Sequence, residues 1–283
     1  VRAALAVAGR ELTQLGRLVL PVSCPGCGGP DVRVCPGCRG RLQDGVRRCE
    51  ADLPRLDRLD GTPLLPVWAG GAYGGAARSL VLAWKDHGRA DLTAEMTAAV
   101  RATARVVAPA LAVYPEVAGR VARGPVAAGT GRPSGKALVV VPAPSRPAAV
   151  RRRGADLVRA LAVAVADELG AAGVPATSGR LLVRSGSGRQ AALGARGRGA
   201  ARTAVRLRRA ARPEGRAHLL VDDVVTTGAT LAACADAIAE GGGLVVGAIA
   251  LVATPPPASP ARRFPGAEAR TNVGAWSWTA DPT

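Results

Sequence analysis

LLVDDVVTTGAT, running from Leu219 to Thr230, decides how the rest of the chain is read. Three apolar residues suited to a buried strand lead into the adjacent carboxylates Asp222 and Asp223, then Val224 and Val225, then a loop of small and hydroxyl-bearing residues. A helix should open near Ala229, and its unpaired N–H groups and positive dipole end would face that loop. This order suits a sugar phosphate. The helix start favours a phosphate dianion, Thr226, Thr227 and Thr230 add hydroxyl donors, and Gly228 lets the backbone come close to a ligand. Two carboxylates at a strand's carboxyl end accept hydrogen bonds from ribose hydroxyls, directly or through Mg²⁺, which prefers hard oxygen ligands. An ordinary capped strand-turn-helix is the alternative, but a cap needs neither a second acid nor three threonines.

Around this segment the sequence alternates as a parallel sheet flanked by helices does. Strands are expected at Ala137 to Val141, Arg180 to Val183, His218 to Val221 and Leu244 to Val252, with helices at Gly154 to Leu169 and Leu231 to Glu240. Upstream, Val67 to Tyr73 reads as a strand, and Ala76 to Lys85 and Leu92 to Val107 as helices. Residues 1–22 have a helical spacing of apolar positions closed by Pro21, and residues 115–136 are a Gly, Pro, Ala and Arg stretch expected to be a flexible insertion. The predicted organisation is an N-terminal helix over 1–22, a metal ribbon over 23–50, an α/β domain over 65–254 and a Pro-rich tail over 255–283 that holds Trp276 and Trp278.

Cys24, Cys27, Cys35 and Cys38 fall into two CPGC knuckles, and that spacing presents four thiolates to one tetrahedral, structural Zn²⁺. A disulfide pair is the alternative. Cys49 has no evident partner, and Cys234 falls on the helix after the threonine loop, where a buried thiol is expected.

The formal net charge of +17 comes almost wholly from arginine. Arg151, Arg152 and Arg153 are consecutive, and eleven arginines lie between Arg180 and Arg216. Such a field attracts nucleic acid or pyrophosphate-bearing ligands, although Arg is abundant alongside Ala, Gly and Pro throughout, and scarce aromatics argue against stacking of bases. No apolar run reaches the roughly 20 residues that span a bilayer, so no membrane span is expected. Arg10 and Glu11 interrupt the N-terminal apolar patch before any cleavage pattern, which reads as a cytoplasmic protein.

Three further segments could serve an anion. The loop Val141-Pro142-Ala143-Pro144-Ser145 leads to Arg151, Arg152 and Arg153, which could clamp a diphosphate through forked hydrogen bonds or be a solvated helix start. RSGSGRQAALGARGR, Arg184 to Arg198, is rich in small and basic residues and reads as a lid over a bound anion or as a surface loop. Lys85 could add a phosphate contact or sit exposed at a helix end, and His87 beside it reads as solvated.

Leu219 to Thr230 resembles the phosphoribosyl pyrophosphate (PRPP) binding motif of the type I phosphoribosyltransferases. The order of four-cysteine ribbon, WKDHGRADL, V-P-x-P with an R-G helix start, the segment with Arg184, Gln190, Leu193 and Arg198, and the acid-pair motif is similar to the ComF family of competence-associated proteins. That resemblance implies a type I phosphoribosyltransferase fold with a zinc ribbon, and Mg²⁺-PRPP binding through Asp222, Asp223 and residues 224–230. It also implies arginine and Lys85 contacts to the diphosphate, and a lid carrying Arg184, Gln190 and Arg198. It further implies a link to uptake of single-stranded DNA, with single-stranded DNA or a helicase-like competence protein as partner. The rival expectation is a non-catalytic DNA-binding protein that retains the fold. The chain departs from the family at Ala155, Asp156 and Leu157, where F-N-Q is usual, at Ala201 in place of an asparagine, and at the lone Cys49 in place of a third C-x-x-C.

Overall fold

The computed structural model describes residues 22–57, 64–114, 137–184 and 205–256. A six-stranded sheet runs in the order β1-β2-β8-β7-β3-β4, with β1 at Arg47–Arg48, β2 at Val67–Ala69, β3 at Leu138–Pro142, β4 at Ala176–Ser178, β7 at Ala217–Val225 and β8 at Leu244–Ala253. β1 is antiparallel to β2, and the other neighbours are parallel. Outside this sheet, β5 (Leu182–Arg184) and β6 (Val205–Leu207) form an antiparallel pair. The architecture is therefore the expected mostly parallel α/β sheet flanked by helices.

Continuous apolar strands follow from burial on both faces. All of β3 is buried, and β8 is buried from Val246 to its end. Successive strand residues point to opposite faces, so Leu138, Val140, Leu219 and Val221 join one cluster, together with residues of α2 (Gly75–Asp86), α3 (Thr93–Ala112) and α5 (Leu157–Ala171). Val139, Val141 and Leu220 join the other, packed on Leu231, Cys234 and Ile238 of α6 (Ala229–Glu240). Leu53 and Leu56, from the stretch after the cysteines, belong to this second cluster.

The cysteine segment, with its single short helix α1 (Pro36–Gly40), does not form a separate core: Cys24, Val34, Cys38 and Leu42 belong to the cluster built around α2 and α3. Its attachment is also polar, since Arg39 Nε and Nη2 donate to the two carboxylate oxygens of Glu95 at 2.7 and 2.9 Å.

Several boundaries differ from the sequence expectation for local reasons. The helix expected from Gly154 to Leu169 is α5, which begins after Asp156, whose carboxylate accepts the Arg159 N–H; a short helix that was not expected, α4 (Pro147–Arg153), precedes it and ends at Gly154, which adopts a left-handed φ of 71°. α3 continues through Pro109 to Ala112, and burial of Ala108 and Leu111 accounts for that last turn. The strand expected over Val67 to Tyr73 stops at Ala69, leaving a lone bridge from Ala72 to Ala253. The expectations for residues 1–21, 115–136 and 257–283 lie outside the described residues. Among the described residues, no helix is long and apolar enough to cross a membrane.

Candidate functional site

β7 lies inside the sheet between β3 and β8, so its carboxyl end opens onto the crevice where ligands of parallel sheets collect. Asp222 and Asp223 sit near that end. Asp222 Oδ1 accepts the Asp223 N–H at 2.8 Å, and Asp223 Oδ1 accepts the Val224 N–H at 2.7 Å. Val224 is half-buried and Val225 buried; then Thr226 and Thr227 are exposed in the turn, and Ala229 opens α6. Thr227 Oγ1 accepts the Ala229 N–H at 3.5 Å, and Thr230 lies in the first turn, half-buried.

Gly228 is required twice over. Its φ is 78°, and a Cβ there would lie 3.0 Å from that of Leu56 and 3.1 Å from that of Leu53. The contact reveals a part that sequence reasoning missed: residues 53–56 form a wall against the threonine loop, and the Arg55 N–H donates to the Thr227 carbonyl at 2.9 Å. Only the apolar spacing of Leu53 and Leu56 hinted at burial.

Lys85, in the last turn of α2, places Nζ 2.8 Å from Asp223 Oδ2. A cavity of about 180 Å³ opens over these groups, lined by Lys85, Asp222, Asp223, Thr230, Arg153 and Arg184 and walled by Ala143, Pro144, Ser145 and Arg146. Burial first, and the charge of Asp223 second, push the Asp222 carboxyl up to about 8, against the opposing pull of the Asp223 N–H and Lys85. Across the cleft, Arg153 Nε is buried and has no hydrogen-bond partner among the described residues. A buried cationic donor left unmatched is costly, and Arg153 is also one of the residues that line the cleft.

The other arginines separate. Arg184, on β5, donates from Nε to the Pro144 carbonyl at 2.8 Å and so pins the 143–146 loop. Arg152 Nη2 lies 3.5 Å from Asp86 Oδ1, and Arg151 faces a second cavity on the far side of α4. His87 is exposed. Gln190, Leu193, Arg198 and Ala201 lie outside the described residues.

The four knuckle thiols converge, with ligand atoms all within 4.8 Å of one another, close enough to hold one zinc ion. Cys27 and Cys35 sulfurs are 3.6 Å apart, near the ~3.8 Å that two thiolates at about 2.3 Å from a tetrahedral Zn²⁺ would show. All four are free thiols. Burial would raise Cys24, but N–H groups of Cys35, Gly26 and Cys27 outweigh it and bring the thiol down to about 6, which favours the thiolate that a metal binds. Cys38 is pushed up by burial and by its thiol neighbours. Cys49 stands apart, donating to the Val67 carbonyl, and burial pushes it up to about 12. Cys234 is buried in α6 and raised by that burial.

No curated protein matches the chain. Residues 152–266 match the family described as the phosphoribosyl transferase domain, and the matched span includes both aspartates and the whole threonine loop, so this part of the chain carries a phosphoribosyl transferase domain.

Proposed function

We propose that the protein is a ComF-like phosphoribosyltransferase that binds PRPP with Mg²⁺, moves its phosphoribosyl group to a still unidentified acceptor, and acts in connection with DNA uptake. The observation that carries the reading is the cleft lined by the acid pair, by Thr230 in the first turn of the helix after the threonine loop, and by Arg153, whose buried Nε has no partner among the described residues. Asp222 and Asp223 would hold the ribose hydroxyls, residues 224–230 the 5′-phosphate, and Arg153 with Lys85 the diphosphate. The hard carboxylate oxygens of the acid pair fit Mg²⁺, which when bound would neutralise charge on the leaving diphosphate.

Transfer breaks the bond between C1 of the ribose and the diphosphate oxygen, and the electron pair leaves with pyrophosphate. A lone pair of the acceptor forms the new bond to C1, and its proton passes to water. Positive charge builds on the ribose as the old bond opens; the Asp223 carboxylate would stabilise it, and Asp222 would do so once a cation bound at the pair has ionised it. The ammonium of Lys85, already beside Asp223, would meet the negative charge gathering on the other partner. The four-thiol site would hold a structural Zn²⁺ and take no part in the chemistry.

Pyrophosphate release from Mg²⁺-PRPP, assayed with bases, amines and single-stranded DNA, tests the reading. Turnover should fall about 10²–10³-fold in Asp222→Asn and in Asp223→Asn. Salt-sensitive DNA binding that survives both changes, with no turnover on any acceptor, would identify a non-catalytic DNA-binding protein instead.

A further inference from the structure

α4 offers a different face to each of two cavities. Arg146, Ala149 and Arg153 line the cleft over the acid pair, whereas Pro147, Val150 and Arg151 line a second cavity of about 280 Å³ between α4 and the β5–β6 pair. The spacing is that of opposite helix faces. Ala143, Pro144, Ser145 and Arg184 form the wall that the two spaces share.

The second cavity combines an apolar floor with a rim of net positive charge, three arginines against one acid. Pro142, Val150 and Leu182 supply the floor, and Arg151, Arg180 and Arg208 the rim. The acid that lines it, Asp156, is already engaged: it accepts the Ser145 hydroxyl at 3.0 Å and the Arg159 N–H at 3.4 Å, and it lies 4.0 Å from Arg180. No carboxylate lies within salt-bridge distance of Arg151 or Arg208 among the described residues. Guanidiniums held around one space raise the local potential and attract a negative group. A bare phosphate fits poorly, because its oxygens would face an apolar floor that offers no donors. An apolar body carrying a carboxylate at one end satisfies both halves, and the volume is near the lower end of the range for small-molecule sites.

We propose that the cavity between α4 and the β5–β6 pair binds a small organic carboxylate, its apolar body on Pro142, Val150 and Leu182 and its charge on Arg151, Arg180 and Arg208. The site does not depend on phosphoribosyl transfer, and its test does not use turnover. Because loop 143–146 walls both cavities, a ligand in one bears on the shape of the other.

Titration calorimetry on the whole chain, with benzoate and 1-naphthoate as probes and their neutral carboxamides as controls, is the test. The carboxylates should bind at a single site, at least tenfold more tightly than the amides. Arg180→Ala with Arg208→Ala should weaken them by tenfold or more while leaving the melting temperature and the affinity for inorganic phosphate unchanged, because both side chains are exposed and neither lines the acid-pair cleft. Flat titrations with both carboxylates, amides that bind equally well, or a double variant that binds like the wild type would each overturn the proposal.

Discussion

At the scale of single residues the acid pair sets two carboxyl groups side by side near the end of a buried strand. Asp222 is raised to about 8 by burial and by Asp223, far above the 3.8 of an unperturbed carboxyl. A raised folded-state value means that the native protein prefers the protonated acid. The contribution is intact below about pH 4 and is lost progressively as pH climbs toward 8. Asp222→Asn removes the ionisation, so its melting temperature should exceed that of the wild type by a margin that widens from pH 5 to pH 8 and then levels. A plateau of a few kcal/mol is expected, since each unit by which folding raises a carboxyl corresponds to about 1.4 kcal/mol and relaxation of the site takes back part of it. A margin independent of pH would show that Asp222 ionises freely. The pair was legible in sequence because its members are adjacent. The link from Asp223 to Lys85 was not, since it joins a strand end to a helix end far away in the chain.

Among elements, the loop between β7 and α6 is where backbone and packing demands coincide. Gly228→Ala places a side chain at a left-handed φ and drives its Cβ toward Leu53 and Leu56. The left-handed strain alone costs about 1–2 kcal/mol, and the crowding adds to it. Chemical denaturation should register a loss of at least that size, together with weaker binding of ribose 5-phosphate as the loop shifts. Unchanged stability would mean that the wall of residues 53–56 moves aside freely. The helices that carry apolar periodicity, α2, α3, α5 and α6, were readable from sequence, as were the buried strands β3, β7 and β8. α4 was not, because none of its residues is buried, so no apolar face prints a period, and its last three residues are arginines. β4 and β6 escaped for a related reason: each has three residues and no fully buried position.

The whole molecule is tied together through the cysteine segment, whose spacing revealed the thiol cluster but not where it docks. Docking depends on pairs distant in sequence, such as Arg39 with Glu95, and on close approaches such as Gly26 to Ala76, where an added Cβ would lie 3.2 Å away. Ala76 lies at the start of α2 and Lys85 at its end, so the helix that receives the thiol cluster also carries the cation beside Asp223. Structural zinc sites contribute several kcal/mol, and for a chain of this size each 1 kcal/mol moves the melting temperature by about 2–4 °C. Stripping zinc with a chelator should therefore lower the melting temperature by roughly 10 °C or more, and Cys38→Ser should do the same without chelator. Phosphate affinity at the acid pair should fall in parallel, because α2 loses the partner that fixes its first turn. Should zinc removal lower the melting temperature and leave phosphate affinity intact, α2 would hold its place by packing on α3 and the sheet alone, and the metal would stabilise only the segment that binds it.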